Sequence, residues 1–323
     1  MGVAKAVAGR LVRLVVLLLI VSFLTFSLIH LLPGDPVTQV LGPTGASNKV
    51  LYEATQHRLG LDQPFFRQYL TYLSNVLHGD LGKSYSSNFS TTTLLKTALP
   101  PTIELMILAQ ILSLAIAIPA AMYSAYRSNS RSDRAITAAS FGLISVPSYA
   151  SSVLLVAVFA LWLGWFPAVG YKSISEAGLA ENLRYLALPL LVLVGGLAAV
   201  YTRLLRSDMI ATLQEDFVLM ARSKGLPTWH ILVRHALRPS SFTLLTVFGI
   251  NFGTLIGGSV IVEQFFAIPG VGFLAVSALF GNDYLVVQGV VLVITASFII
   301  VNFIVDALYS VLDPRVRRAG ATA

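Results

Sequence analysis

The sequence of 323 residues contains no cysteine, and charged residues make up only 11% of it. The missing cysteine excludes disulfide bonds and thiol chemistry, but it does not indicate a compartment. The HExxH and GxSxG motifs of metalloproteases and hydrolases are also absent. Gly82–Ser84 reads Gly-Lys-Ser but is not a phosphate-binding loop, because Leu77 stands where that motif requires glycine. We therefore expect a protein that performs no covalent chemistry and is not an enzyme.

Hydrophobic residues make up 56% of the chain and give it a mean hydropathy of +0.78. They are gathered in long uncharged blocks. Each block is long enough to cross a hydrocarbon layer as a helix, which takes about 20 residues. The sequence therefore predicts an all-α integral membrane protein with six transmembrane helices. The blocks are residues 14–32, 105–126, 135–171, 185–202, 239–262 and 284–305.

The third block, residues 135–171, is too long for a single crossing. Trp162 and Trp165 are typical of the aromatic belt at a membrane surface. We predict one span that ends near Trp162, with two tight spans inside the block as the alternative. The proline and hydroxyls of SVPSYASS, at Ser145–Ser152, predict a kink in this helix. The hydroxyls either line a polar route or satisfy the kinked backbone, and the second account is the simpler one.

The distribution of basic residues predicts the orientation. If the amino terminus is cytoplasmic, the inner segments hold 15 of the 22 lysines and arginines, although the outer segments are together longer. The positive-inside rule therefore places both termini in the cytoplasm. We divide the chain into residues 1–32 with the first helix, an extracytoplasmic insertion at 33–101, and a five-helix core at 102–323. Within the insertion, apolar residues recur at helical spacing from Phe65 to Leu77 and predict an amphipathic helix.

The largest inner segment, residues 207–240, is polar in an otherwise apolar chain. Glu215 and Asp216 suit the start of a helix, and Gly225 suits its end. A second apolar stripe follows, and Pro239 predicts where it ends. The two surfaces are formed by Leu213, Phe217, Met220, Ala221 and Lys224, and by Trp229, Leu232, Val233, Ala236 and Leu237. We expect two short helices joined by a glycine turn. Their apolar stripes need partners, either the inner mouth of the helix bundle or another protein, and the alternative is a basic loop that only lies on anionic lipid.

The segment EDFVLMARSKGLPTWHILVRHALRP, from Glu215 to Pro239, resembles the cytoplasmic signature loop of permease subunits in binding-protein-dependent ABC importers, in its peptide-importer form. The matching residues are Ala221, Arg222, Lys224, Gly225, Leu226, His235, Ala236, Leu237, Arg238 and Pro239. Leu219 and Met220 replace the Glu and Ala of the general triplet, as is usual in the peptide and nickel branch. Stretches outside the loop also resemble this family, and they read LLPGDP, LGLDQPFFRQY, GDLGKS, LPPTIEL, VEQFFAIPGVG, NDYLVVQG and LDPRVR. Leu285 departs from the family by replacing the proline common after the Asp-Tyr pair.

The resemblance implies the permease subunit of an ATP-driven importer in the bacterial cytoplasmic membrane, with a type I permease fold. An oligopeptide or dipeptide is the implied substrate, and nickel or another small solute is the alternative. The implied partners are a second homologous permease, two cytoplasmic ATPase subunits or domains, an extracytoplasmic substrate-binding protein, and membrane lipid. ATP and Mg would be held by the ATPases, and no cofactor is expected in this chain.

In this family the loop couples the permease to its ATPase. The resemblance assigns that role to Phe217, Met220, Ala221, Arg222, Lys224, Gly225 and Leu226. Gly225 would let the two short helices turn sharply, and Ala221 would permit close approach of the partner. Arg222 and Lys224 would meet an acidic partner surface.

The fifth predicted helix carries glycines at four-residue spacing, at Gly249, Gly253 and Gly257, with Asn251 nearby. Small residues on one face allow a second helix to approach closely. This face forms either a wall between two permease subunits, beside the substrate path, or a packing surface within this chain alone.

An ion-coupled secondary transporter is the main rival, and a membrane enzyme or scaffold with an interfacial loop is the third reading. Ion coupling requires ionisable groups inside the membrane, which are costly and are kept for function. Only His30, Glu104, Arg203 and Asp306 lie within or near the predicted spans, and all are toward their ends. This placement disfavours a proton relay and predicts that energy comes from another chain.

Overall fold

The computed structural model describes residues 3–31 and 35–312, and these are helical apart from turns and one isolated β-bridge between Lys83 and Ser90. The α-helices are α1 (Val3–Leu31), α2 (Pro36–Ala46), α3 (Lys49–Arg58), α4 (Phe65–Leu77), α5 (Thr91–Tyr126), α6 (Arg131–Ser145), α7 (Ser148–Leu155), α8 (Ile174–Thr212), α9 (Asp216–Ser223), α10 (Thr228–His230), α11 (Arg238–Gly258), α12 (Val260–Phe266), α13 (Val271–Phe280) and α14 (Tyr284–Leu312). Two π-helical segments, π1 (Val156–Trp162) and π2 (Ile231–Leu237), continue α7 and α10.

Three stretches of the described helices are long and apolar enough to cross a membrane: Thr91–Tyr126, Ile174–Thr212 and Tyr284–Ile304. Two bent pairs of helices would bring the number of spans to five within the described ranges, and the apolar stretch of α1, Leu14–Ser27, is shorter. The predicted all-helical membrane architecture is confirmed at this level. The side chains of His30 and Asp306 lie outside what the structure describes.

The third hydrophobic block does not form one straight helix. α6 ends at Ser145, and the helix formed by α7 and π1 leaves at an angle of 101°. Val146 is extended because a residue before proline is excluded from the helical region by the proline ring. The hydroxyls of Ser151 and Ser152 donate to carbonyls four residues earlier, so they satisfy the backbone near the break. The predicted end at Trp162 agrees with the end of π1.

The described chain divides into two compact units. The first contains the residues up to Pro100 together with Pro269–Ile299, and the second contains Pro101–Ile268 together with the residues from Ile300 onward.

In the first unit, aromatic side chains of α1 and α4 pack against each other. Phe23 and Phe26 of α1 contact the rings of Phe65 and Tyr69 at centroid distances of 5.2–6.1 Å. The Tyr69 hydroxyl also hydrogen bonds with the Ser22 hydroxyl at 2.9 Å. The helix predicted for Phe65–Leu77 is confirmed. Phe65 and Tyr69 pack against α1, whereas Phe66, Leu70 and Leu77 remain exposed.

The insertion is also joined to α14 within the first unit. The hydroxyls of Ser84 and Ser86 donate to the buried carboxylate of Asp283, and the amides of Tyr85 and Ser86 donate to the same group. Nearby, α14 approaches α5 so closely that a Cβ on Gly289 would lie 2.6 Å from Thr91 Cγ2. These contacts fix the start of α14 against the insertion.

The second unit is built around small residues that let helices approach. The buried core on α5, α8, π2 and α11 consists of Ala117, Ala121, Ala125, Tyr201, Leu205, Met209, Ala236 and Leu244. Three alanines at four-residue spacing place one narrow face of α5 in this core, where larger residues of α8 fill the space. This core supports the helix ends from which the polar loop emerges.

Candidate functional site

The polar loop stands on the end of α8. This helix continues to Thr212, about 15 Å beyond the predicted end of its span at Thr202 at 1.5 Å per residue. After a short turn, α9 begins at Asp216 with Glu215 as its N-cap residue. The predicted arrangement of two short helices around a glycine is confirmed by α9, Gly225 and the helix formed by α10 and π2.

One face of α9 is buried inside the loop. Val218 is fully buried, and Ala221 and Ile231 are 5% and 4% exposed, with Leu213 and Leu226 packed against them. Ala221 therefore permits the close approach of α9 to the second short helix. In this chain the Ala221 side chain is covered by residues of the loop itself.

The opposite face of α9 is apolar and is not covered by the rest of the described chain. Phe217, Leu219 and Met220 are 46%, 55% and 60% exposed, and Trp229 on the next helix is 66% exposed. Arg222 and Lys224 are exposed on the same loop. Large exposed apolar side chains grouped beside charged residues mark interaction surfaces. The predicted site residues therefore separate into an exposed set and a buried set.

Gly225 makes the turn between the two helices. Its φ of +74° lies in the left-handed region, and its amide donates to the Arg222 carbonyl at 2.9 Å. The Leu226 amide donates back to the Ala221 carbonyl at 3.3 Å, which closes the end of α9. Pro227 then caps the next helix. This pattern satisfies carbonyls at the helix end that would otherwise lack donors.

The sequence predicts that the second short helix ends at Pro239, and this prediction is wrong. The helix passes through π2 into α11, where Arg238 and Pro239 occupy its first positions. Pro239 cannot donate a backbone hydrogen bond, and the wider π-helical turn before it accommodates the missing donor without ending the helix. The loop is consequently continuous with α11, so a displacement of the second helix acts on α11 directly.

Replacing Gly225 tests the turn. A Cβ at this position would meet no heavy atom within 4 Å, so the cost of a side chain is conformational. Gly225→Val should destabilise the turn by about 1–2 kcal/mol, or roughly 5- to 30-fold in its opening equilibrium. The measurement is the rate of native-state limited proteolysis between α9 and α10. Gly225→Asn is the control, because asparagine tolerates the left-handed region, and equal proteolysis of all three proteins would contradict the assignment.

A groove of about 500 Å³ lies beside the loop. Its lining includes Tyr126 from the end of α5, Ile210 and Gln214 near the end of α8, and Arg222 and Leu226 from the loop. A side chain inserted into this groove would contact the loop and the bundle together. The groove is therefore a second feature, beside the apolar face, that a partner of the loop can use.

A bidentate ion pair anchors α8 below the loop. Arg206 Nε and Nη2 donate to the two carboxylate oxygens of Asp133 at 2.6 and 2.8 Å. The Ser124 hydroxyl and the Asn129 amide also donate to Asp133. The side chain of Asp133 is only 4% exposed, whereas that of Arg206 is 24% exposed. This network ties α5, α6 and α8 together.

Two of the four ionisable residues considered for ion coupling, Glu104 and Arg203, have local partners. The Tyr171 hydroxyl donates to Glu104 Oε2 at 2.6 Å. The guanidinium of Arg203 lies 4.2 Å from the centre of the Phe141 ring. Both contacts give these side chains a structural role within the second unit.

The glycines of α11 differ in their surroundings. Gly249 and Gly253 are buried, whereas Gly257 is exposed and a Cβ there would meet no atom within 4 Å. Asn251 is a hydrogen-bond partner of the Tyr201 hydroxyl, which also donates to Gln110 Oε1 at 2.7 Å. The first two glycines therefore lie in packed surroundings within this chain.

Two family models match the sequence. The model described as "Binding-protein-dependent transport system inner membrane component" matches residues 117–318, and the corresponding amino-terminal model matches residues 3–106. A putative peptide transport system permease protein of Brucella abortus (strain 2308) is 38% identical over 308 residues, which cover 95% of this chain and 97% of the relative. The glutathione transport system permease protein GsiC of Escherichia coli (strain K12) is 34% identical over 311 residues, which cover 96% and 98%.

Among solved structures, an inward-facing MetNI methionine ABC transporter has a similar fold. The TM-score is 0.57 at 16% sequence identity, and the match covers 68% of this chain and 96% of that chain. At this identity the likeness establishes the fold alone.

Proposed function

The chain belongs to the family of binding-protein-dependent transport system inner membrane components, and from this premise we propose that its substrate is a peptide. It is the permease subunit of an ABC importer and a multi-pass protein of the bacterial inner membrane. The peptide substrate is supported by relatives named as peptide and glutathione transport permeases that align over almost their whole length.

The proposed topology has six spans and both termini in the cytoplasm. It keeps the division into residues 1–32, the outer insertion at 33–101 and the core at 102–323. The excess of lysine and arginine in the inner segments supports this orientation. With it, the loop at residues 207–240 faces the cytoplasm, and the insertion faces the substrate-binding protein.

The observation that carries the mechanism is the exposed apolar face of α9. Phe217 and Met220 would pack into a groove of the ATPase, while Arg222 and Lys224 would pair with acidic residues around it. Burying such side chains stabilises a complex by about 25 cal/mol per Å² of apolar surface, less the cost of association. Gly225 and Leu226, with the buried Ala221, would hold α9 in the orientation that this contact requires.

The loop transmits force through its connections. α9 packs on π2 through Val218 and Ile231, and π2 continues into α11. When the ATPase pair closes on ATP and Mg and pulls α9, α11 moves with it. Alternation of α11 between two positions would open the path to one side of the membrane at a time.

One permease subunit forms half of a translocation path, so a second homologous permease is required. We place it against Gly257, at the exposed end of the glycine face. Gly257 is exposed with free space above its Cα, whereas Gly249 and Gly253 pack within this chain. Asn251, with Tyr201 and Gln110, would contribute polar groups beside the path. The remaining partners are two ATPase subunits or domains and the extracytoplasmic binding protein.

Reconstitution tests this function. The chain is placed in proteoliposomes with its second permease, its ATPases and the binding protein, and uptake of radiolabelled trialanine is measured. We expect uptake only when ATP is available to the ATPases. Uptake by this chain alone, driven by a proton gradient, would contradict the proposal and favour a secondary transporter.

A further inference from the structure

The first unit contains a cavity of about 510 Å³, formed entirely by residues of the insertion, α1 and the first turns of α14. We call it the insertion cavity. Tyr72 and Asn75 of α4, Asp80, and Gln288 of α14 are among the residues that line it. Its volume falls within the range of ~300–1,000 Å³ that is typical of small-molecule sites. The coupling loop and α11 contribute nothing to it, so the mechanism above leaves the cavity unexplained.

The wall of the cavity contains buried polar atoms without partners. Gln288 is 2% exposed, and its Nε2 has no hydrogen-bond partner among the described residues. The Tyr72 hydroxyl is likewise buried, and it is close enough to Gln288 for the two groups to interact, but neither atom has a partner at full hydrogen-bond geometry. A buried donor without an acceptor costs about 1–3 kcal/mol. An acceptor brought by a ligand, such as a carbonyl oxygen, would remove this cost at Gln288.

The charged residues of the lining determine which charge a ligand of the cavity can carry. The charged residues that line the cavity are Asp35 and Asp80, and no lysine, arginine or histidine lines it within the described part of the chain. The oxygens of Asp35 accept hydrogen bonds from Thr38 and from the amide of Val37. These bonds outweigh partial burial and hold the pKa of Asp35 below its usual range. The cavity therefore favours a cation and disfavours an anion.

Asp80 is the carboxylate that can receive a cationic group. It is exposed, and its Oδ1 accepts only the Gly82 amide hydrogen, at 2.9 Å. Its other oxygen accepts no hydrogen bond from the described residues and can accept one from a protonated amine. A charge-assisted hydrogen bond of this kind is about twice as strong as a neutral one.

Neutral amides and phenols form the rest of the polar lining. The side chains of Gln56 and Asn75 line the cavity and make no hydrogen bond to described groups. Burial raises the pKa of Tyr85 to about 12, and the nearby charge of Asp283 adds to the shift, so this phenol remains neutral. Primary amides can both donate to and accept from peptide groups. Such a lining suits a ligand that carries amide bonds.

We propose that the insertion cavity binds the amino-terminal end of a short peptide, with the ammonium group at Asp80 and a peptide carbonyl at Gln288. This inference rests on the proposed function and deepens it, because it gives the permease a substrate contact outside its coupling loop. The absence of a lysine, arginine or histidine from the described lining argues against capture of a carboxylate or phosphate.

Equilibrium binding to the full chain tests the inference. The purified protein is placed in lipid nanodiscs with tritiated trialanine, and the same peptide with an acetylated amino terminus serves as the ligand control. We expect saturable binding of trialanine and at least a 10-fold weaker affinity for the acetylated peptide, because acetylation removes the charge that Asp80 would bind.

Matched variants locate the site. Asp80→Asn and Gln288→Leu should each weaken binding of trialanine by about 10-fold. Glu53→Gln is the control, because it removes a negative charge from an exposed position of α3 that does not line the cavity. Asp80→Asn changes an exposed residue with little change in shape, so it keeps the test valid if Gln288→Leu fails to fold. Absent binding, equal binding by the two variants and the wild type, or displacement by Ca²⁺ alone would overturn the inference.

Uptake by the complete importer separates this inference from the proposed function. If the importer moves trialanine with ATP while the isolated chain does not bind it, the cavity assignment is wrong and the permease function stands. If the chain binds trialanine at the cavity but the complete importer shows no ATP-dependent uptake, the proposed peptide transport is wrong and the cavity assignment stands.

Discussion

Changing Phe217 and Met220 together to aspartate should separate the permease from its ATPase while the chain still inserts and folds. Both side chains are about half exposed in this chain, so its own packing loses little. Truncation of an apolar anchor at an interface costs about 2 kcal/mol or more, and the buried charges add to this. We therefore expect affinity for the ATPase to fall by at least about 100-fold. The measurement is co-purification of the ATPase, together with ATP-dependent uptake.

The same two positions supply the control. Phe217→Leu with Met220→Leu keeps an apolar surface and adds no charge, so it should retain the ATPase. Membrane yield and thermal unfolding of both double variants should match the wild type. Co-purification of the ATPase with the aspartate variant at wild-type yield would show that the contact lies elsewhere.

Replacing Arg206 by methionine should give the largest loss of stability in the second unit. The change leaves the carboxylate of Asp133, only 4% exposed, without its positive partner. Removing one member of a buried ion pair costs about 3–5 kcal/mol, because the remaining charge stays buried. We expect the free energy of unfolding, measured by detergent-induced denaturation, to fall by about this amount.

Arg203→Met is the matched control, since it removes the same charge from the same helix one turn earlier. Arg203 stacks on Phe141, a contact worth about 0.5–1 kcal/mol at an exposed site. The double variant Arg206→Met with Asp133→Leu should recover part of the loss, because it removes the uncompensated charge. Equal destabilisation by Arg203→Met and Arg206→Met would contradict a structural role for the ion pair.

The local features of the loop could be predicted from the sequence because their causes are local. Gly225 indicated the turn, and acidic residues before α9 indicated its start. The buried face of α9 could not be predicted, because Phe217–Met220 is apolar almost all around the helix. In the structure Val218 and Ala221 are buried because they pack against Ile231 of the second helix, whereas Phe217 and Met220 are exposed.

Features that depend on distant parts of the chain were missed. Asp133 and Arg206 are 73 residues apart, and no pattern in either helix indicates that they pair. The insertion cavity brings α4 beside Gln288 of α14, again through folding of remote segments. A proline had predicted the end of the second short helix, but the π-helical turn before it let the chain continue into α11. Tertiary packing determines which remote residues pair and where such a helix ends, and the local propensities of the sequence carry no information about that packing.

The most direct test of the account is the side of the membrane on which the loop lies. Because the chain has no cysteine, Ser223→Cys in the loop and Val50→Cys in the insertion each provide a single labelling site. With a membrane-impermeant maleimide, Ser223→Cys should react only in inverted vesicles and become protected when the ATPase is added, whereas Val50→Cys should react only in spheroplasts. Reaction of Ser223→Cys in intact spheroplasts would contradict the proposal that a cytoplasmic ATPase drives this permease through its loop.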